Sequence, residues 1–471
     1  MVLQSESFAL RATLALAIAG QLFIILGIAG ALHPIVYLAV ALIAAVVLRP
    51  TRLRWELLVA ALPLIALALY PPIAFDETLY HLPTVQAIAR SGAIRFFGEL
   101  RFPVFPILHE ALCVPVFLAF GDVATHLVSV LEILLLAGIV LKWRSGGLLA
   151  AALIIGHPIV MQIGSVTYAD AALMLFVTAG FYCLDRERFA MAGFLLGTAC
   201  SVKYLGGYFA LAGLLFAWRN VPRYLLGLAA GVVPMFGFIT WQTGNPVFPF
   251  FGSTVWTHHM PPPNGNVWRA FWDMTFDRAR LNWQPPYSPL FAISLLITFV
   301  AGRFDRRAAF ISALCIIYVG IFAFLPQDSR YLLPLLPLVS VVAATAIAPR
   351  LKHVGLIALI VALPGFAYAG YRVMKQGLPP RSATERRVYL EQHIPEFRAL
   401  EHRGRGPIYV CGAEQLKYYG GDELRGDVVG PYTSMPANTR YMLISRRKCP
   451  PPPGFTRIYA DEAAELWEAS R

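Results

Sequence analysis

Charged side chains are scarce in this chain of 471 residues: Asp, Glu, Lys and Arg together make up 14%, against 58% hydrophobic residues and a mean hydropathy of +0.61. A water-facing surface needs roughly a quarter to a third of its residues charged, so a soluble globular body is excluded for most of the length. Cysteine is scarce too. The six present form no CxxC pair and no finger-like spacing, which leaves neither a zinc ribbon nor a dense disulfide scaffold. Nucleotide signatures are also missing: no Walker A lysine motif occurs, and no GxGxxG follows a strand, so any activated group must arrive by another route.

What the sequence has instead is a series of apolar stretches, each near the length that crosses a ~30 Å hydrocarbon core. They predict spans near 8–30, 35–49, 56–70, 124–142, 147–164, 168–184, 189–204, 206–218, 223–241, 288–301, 308–325, 331–348 and 354–371, about thirteen crossings. The first has no strongly basic start and no small-residue cleavage site, so it is expected to stay as a span. The expected fold class is therefore an all-α polytopic membrane protein, residues 1–371, followed by a small soluble α/β domain, residues 372–471.

The formal net charge of +12 does not point to nucleic acid. Outside the C-terminal region the Lys and Arg residues mostly gather in short clusters between apolar stretches: Arg49 to Arg54, Lys142 to Arg144, Arg186 to Arg188, Arg219 to Arg223, Arg303 to Arg307 and Arg350 to His353. Placing all of them on the cytoplasmic side gives one consistent winding, with the N-terminus inside and the C-terminal domain outside. The stretch 105–120 spoils that parity if it crosses; Pro103, Pro106 and Pro115 interrupt it, and His109 and Glu110 are costly at mid-membrane. It is expected to lie in or dip into the interface. Two long connections then face outward, 71–121 and 243–287, and loops of that length are usually functional.

The first of these loops carries Phe75-Asp76-Glu77-Thr78-Leu79-Tyr80-His81-Leu82-Pro83. Adjacent carboxylates, a phenol and an imidazole stand together at a membrane boundary, although Asp76 and Glu77 equally suit the first turn of a helix. Asp170, in Tyr168-Ala169-Asp170, sits at the same side of the membrane, where it and Asp76 could share a divalent cation or divide acid-base work; capping is again the alternative. Lys203 and Arg330 break the positive-inside pattern by falling on that outer rim. A cation kept there usually meets an anion, and guanidinium suits phosphate oxygens; for Lys203, snorkelling to headgroups is the alternative. The second loop holds Asn245-Pro246-Val247-Phe248-Pro249, His258-His259 and several tryptophans, which read as an aromatic belt or as a wall for a sugar or lipid chain.

At Phe75 to Pro83 the chain resembles the GT-C superfamily of membrane glycosyltransferases, which includes protein O-mannosyltransferases and the aminoarabinose transferase of lipid A. The likeness continues through Asp170, Lys203-Tyr204, Asn245 to Pro249 and Arg330-Tyr331-Leu332-Leu333-Pro334, over about 56–350. It departs from the common pattern in the number of spans placed before the acidic loop. The resemblance implies a bacterial inner-membrane enzyme that moves a sugar from a polyprenyl-phosphate donor to a hydroxyl of a lipid, glycan or protein on the extracytoplasmic face. Asp76 and Glu77 would be its catalytic residues, Tyr80, His81, Asp170, Lys203 and Arg330 would bind substrate, and Asp76 with Asp170 would hold a metal if one is used. Because phosphate is already a good leaving group, one carboxylate base supported by cations suffices, unlike glycoside hydrolysis, where an acid must protonate a poor leaving oxygen.

Two other classes compete: a transporter or flippase of a lipid-linked saccharide, and an O-antigen polymerase or ligase. A transporter would favour internal repeats and mid-membrane polar residues; no clear repeat is present, and the polar residues gather on one face. After Tyr371 the composition turns polar. Residues 408–411 and 441–444 read as strands, and 383–402 and 461–470 as helices. Cys411 and Cys449 either pair, in an oxidising compartment, or stay as thiols.

Overall fold

The computed structural model describes residues 7–48, 55–251, 266–277, 284–324, 328–425, 435, 437–446, 448–450 and 453–470. The apolar body is built from α1 (Phe8–Ile28), α2 (Pro34–Val47), α3 (Trp55–Ala68), α4 (Leu82–Ser91), α5 (Leu108–Phe120), α6 (Asp122–Trp143), α7 (Gly147–Ile155), α8 (Pro158–Ile163) and α9 (Asp170–Asp185). It continues with α10 (Phe189–Val202), α11 (Gly206–Phe216), α12 (Val221–Thr243), α13 (Val267–Phe276), α14 (Leu290–Ala301), α15 (Arg306–Phe324), α16 (Leu335–Ile347) and α17 (Val354–Gln376). Among the described residues four helical stretches are long and apolar enough to cross a membrane unaided, Phe8–Ile28, Asp122–Trp143, Trp218–Thr243 and Val354–Gln376, and seven shorter apolar helices accompany them. The chain is a multi-pass membrane protein.

Where lipid cannot supply a hydrophobic drive between helices, close backbone approach must. The α10–α12 pair shows it. A Cβ on Gly193 would stand 2.0 Å from the Tyr224 carbonyl, and one on Gly227 would stand 1.9 Å from the Ala190 carbonyl. Gly197 and Gly231, each four residues further on, repeat the contact. The expected single span 147–164 is two helices instead. The chain breaks at Gly156-His157, where Pro158 takes the first position of α8 and removes the amide that would have continued α7. The stretch 105–120 forms α5, a 13-residue helix whose first half, including His109 and Glu110, is fully buried against the body. Their cost is met by pairing: His109 bonds Glu132 at 3.0 Å, and Glu110 bonds His81.

Helix α9 separates two ionic layers. At its C-terminal end Asp185 receives Arg144 and Arg307, each at 2.7 Å, from two of the basic clusters. At its N-terminal end stands Asp170, some 22 Å away at 1.5 Å per residue. The cluster at Arg49 to Arg54 lies outside the described residues.

The C-terminal unit contains α18 (Ala383–His393), α19 (Phe397–Glu401), β1 (Ile408–Cys411), α20 (Lys417–Gly420), β2 (Leu424–Arg425), β3 (Tyr441–Ser445), β4 (Phe455–Ala460) and β5 (Ala464–Ala469). Its sheet has the order β2-β1-β3-β5-β4, parallel across β2, β1 and β3 and antiparallel across β3, β5 and β4. Strands at 408–411 and 441–444 match expectation. The helix expected over 383–402 is split, because Pro395 ends α18. The helix expected over 461–470 is a strand: Asp461 accepts from the amides of Ala463 and Ala464, both at 2.8 Å, and turns the chain so that β5 completes β3 and β4. The Ala- and Glu-rich composition favours helix, but pairing on both edges overrides it.

Cys411 and Cys449 form a disulfide with Cα atoms 6.4 Å apart. It closes a loop of 38 residues and is expected to stabilise the domain by about 3–4 kcal/mol through the unfolded state. Purified protein alkylated without reductant should take up no label at either position; labelling of both would show the pair unformed.

The C-terminal unit does not hang free. Arg386 and Tyr418 both bond Asp122, at the start of α6, through Nη1 at 3.0 Å and the phenol at 3.0 Å. Tyr419 donates to the Pro72 carbonyl at 2.5 Å and Tyr70 donates to that of Gly377 at 2.5 Å. The loop that begins at Pro71 is thus clamped from above.

Candidate active site

Between α3 and α4 the chain makes a π-helical turn, Glu77–His81, in which Leu82 donates to the Glu77 carbonyl five residues back. Such turns cost helix geometry and recur at functional sites. Here the turn sends consecutive carboxylates to different partners.

Asp76 meets the guanidinium of Arg330, Oδ2 to Nη2, at 2.7 Å. Its amide donates to the Tyr168 phenol at 3.2 Å, and Tyr80, one turn on, donates to Oδ2 at 3.4 Å. Arg330 comes from a short 3₁₀ turn, Ser329–Leu332, capped by Asp328, whose carboxylate also takes the arginine Nε and Nη2 at 3.0 and 2.8 Å. The Arg330 Nη1 lies 3.7 Å from Asp170 Oδ2 and makes no hydrogen bond. Lys203, which ends α10, donates to Asp170 Oδ1 at 2.8 Å. Arg330 also stacks on the Tyr168 ring at 4.9 Å, and Lys203 stands 5.0 Å from that of Tyr331.

Four residues spread over 255 positions of sequence, Asp76, Asp170, Lys203 and Arg330, therefore form one contiguous ionic cluster at the loop end of the bundle. Burial pushes the Asp76 carboxyl up, but Arg330, with His81 and Lys203 near, holds it below the ordinary carboxylate range. The guanidinium is held fully charged by the three carboxylates around it. Three carboxylates and two cations leave the set short of positive charge, and three buried atoms lack a hydrogen-bond partner: Arg330 Nη1, Asp170 Oδ2 and Ser329 Oγ.

Glu77 faces elsewhere. It is fully buried, takes His126 at 2.8 Å and the Thr167 amide at 2.6 Å, and so ties the loop to α6 and to the segment before α9. Glu77→Gln keeps the shape and one acceptor, and is expected to lower the thermal midpoint while sparing turnover more than any change at Asp76; circular dichroism melts alongside an activity assay check this. His81 packs its ring at 4.1 Å from Tyr80 and 5.5 Å from Tyr168, with Glu110 on its Nδ1. It buttresses the two phenols that touch Asp76.

The expected metal pair does not suit a cation in this arrangement. Arg330 lies between Asp76 and Asp170 and occupies the position that shared coordination requires, and no group of three or more His, Cys, Asp or Glu poised for a metal occurs among the described residues. His258-His259 lies outside them. Asn245 to Pro249 is a local turn: Asn245 accepts from Val247 at 3.0 Å and donates to Phe250 at 2.7 Å, and Tyr204 donates to the Phe248 carbonyl at 2.5 Å. The two motifs thus join the second loop to the end of α10. Asp328 and Tyr168 were not singled out for the site, although each lies within two residues of one that was; the neighbours of Arg330 and Asp170 were the available signal.

The helical body, with its acidic first loop and cation-bearing span ends, has a fold like that of ArnT. Two solved structures share it: ArnT from Cupriavidus metallidurans bound to undecaprenyl phosphate, at 15% identity and TM-score 0.57 over 88% of this chain and 97% of that one, and the same protein in the apo state, at 15% and 0.58 over 87% and 96%. No protein-family model matches the chain, and no curated protein sequence matches it.

Proposed function

We propose that the protein is a glycosyltransferase of the extracytoplasmic face of a bacterial inner membrane, moving a sugar from a polyprenyl-phosphate donor to an acceptor hydroxyl. The observation that carries this reading is the Asp76–Arg330–Asp170–Lys203 cluster, set in a fold shared with a protein that binds undecaprenyl phosphate. The positive-inside winding supports the orientation, since Arg144 and Arg307 cluster at the opposite end of α9.

The chemistry follows from the charges. The donor phosphate takes the free Nη1 and one further nitrogen of Arg330, with Lys203 as a second cation. In doing so it competes with Asp76 for the guanidinium. The carboxylate, released from its counter-ion, becomes a stronger base when the donor is in place. It accepts the proton of the acceptor hydroxyl as that oxygen attacks the anomeric carbon. The bond to the phosphate oxygen breaks, its electron pair stays on the lipid phosphate, and one displacement inverts the anomeric centre. Tyr80 and His81 line the base side; Asp170 keeps Lys203 in place.

Comparing cell-envelope glycans by mass spectrometry with and without the protein tests the class of reaction. Loss of one glycan substituent, with its lipid-linked precursor accumulating, is the expected result. Loss of the same substituent with the lipid-linked saccharide trapped on the cytoplasmic leaflet would identify a flippase instead, and an unchanged glycan profile would overturn the reading.

A further inference from the structure

A cavity of about 130 Å³ opens where the end of α17, the start of the C-terminal unit and the first loop meet. None of Asp76, Asp170, Lys203 or Arg330 lines it, so it is separate from the cluster, although Glu77 forms part of its wall. A water takes about 30 Å³, so a group the size of phosphate fits.

Its polar lining is biased toward donors. Arg372 is fixed by bonds from Nη1 to Gln162 Oε1 at 2.6 Å and to the Tyr368 phenol at 2.8 Å, and Tyr368 in turn donates to Gln162 Oε1 at 2.9 Å. This triad spends the Gln162 carbonyl oxygen and one guanidinium nitrogen. The Arg372 Nε and Nη2 and the Gln162 Nε2 have no partner among the described residues. Tyr389 accepts from Gln376 Nε2 at 2.9 Å and keeps its own hydroxyl hydrogen. The one carboxylate in the wall, Glu77, is already spent on His126, the Thr167 amide and the Ala74 amide. Arg372 is not a cation reaching out to headgroups along the surface, because its partners hold it on α8.

We propose that this cavity is a second anion site, which takes a phosphate group between Arg372, Gln162 and Tyr389. Nη2 and Nε offer the two parallel donors that match phosphate oxygens, and the amide and phenol supply the others. The site bridges the helical body and the C-terminal unit, so an occupant fastens the two together beside the loop that carries Asp76. The phosphate has two possible sources, a lipid headgroup or the free ion. The proposal does not depend on the transferase reading, since binding is measured without any sugar donor.

The test uses the full-length protein in maltoside micelles, with thermal midpoints followed as inorganic phosphate replaces chloride at constant ionic strength. A ligand that binds only the folded state raises the midpoint saturably. Wild type and Lys203→Gln are expected to show the rise; Arg372→Gln is expected to lose it, and Tyr389→Phe to need at least tenfold more phosphate. If phosphatidylglycerol added to the micelles raises the midpoint and suppresses the phosphate response, a headgroup is the occupant; if phosphate alone acts, the free ion is. A rise that persists in Arg372→Gln and Tyr389→Phe, one that vanishes in Lys203→Gln but not in these, or no rise with either probe overturns the proposal. Should Arg372→Gln fail to fold, Tyr389→Phe decides.

Discussion

Asp76→Asn is expected to cut sugar transfer by about 10²- to 10⁴-fold, the range a positioned base contributes, while the purified protein keeps its fold. Asparagine preserves the shape and can still accept from Arg330 and Tyr80; what it cannot do is take a proton. The pH dependence carries a second expectation. In the free protein Arg330 holds the Asp76 carboxyl below the ordinary carboxylate range, so kcat/KM should show no acid limb from this group at pH 5 and above. Once the donor phosphate has drawn Arg330 away, the same carboxyl rises, and the acid limb of kcat should appear at a higher pH than that of kcat/KM. The sign is fixed by the ion pair: its loss favours the protonated form. Transfer undiminished in Asp76→Asn would end the base assignment, and coincident acid limbs would show that the donor leaves the Asp76–Arg330 pair intact.

The parts of the fold visible in the sequence were those fixed by solvent. Long apolar stretches and the basic clusters between them placed most helices within a few residues, because lipid enforces both. What failed was of two kinds, a local break and pairing with contacts far along the chain. Gly156 and Pro158 divide one apolar stretch into two helices, and helix-favouring residues at 461–470 became a strand since β3 and β4 were there to pair with. The site was legible in outline for a similar reason. Lys203 and Arg330 stood out as cations on the wrong side of the membrane, and that anomaly, not any motif spacing, led to the cluster. The division of labour between Asp76 and Glu77 was not legible. Adjacent residues look equivalent in sequence, and only the π-helical turn and the partners His126 and Arg330 tell them apart.

Arg330→Lys keeps the charge and is expected to weaken donor use by about 10- to 100-fold, read as a rise in the donor KM. A single ammonium cannot hold Asp328 and also present two parallel N–H groups to a phosphate. One lost charge-assisted hydrogen bond is worth about 1.5–3 kcal/mol, which sets that range. Arg330→Gln should do more. The guanidinium is buried among Asp76, Asp170 and Asp328, and removing the cation from a buried ion pair costs about 3–5 kcal/mol because the carboxylates are left uncompensated. The variant should therefore fold poorly at neutral pH and recover as the pH falls and the carboxyls protonate, whereas Arg330→Lys should melt near wild type throughout. Lys203→Arg, at the edge of the cluster with a quarter of its side chain exposed, is expected to be tolerated. If Arg330→Lys used the donor as well as wild type does, the phosphate would have to be held elsewhere, and the shared-cluster mechanism would not stand.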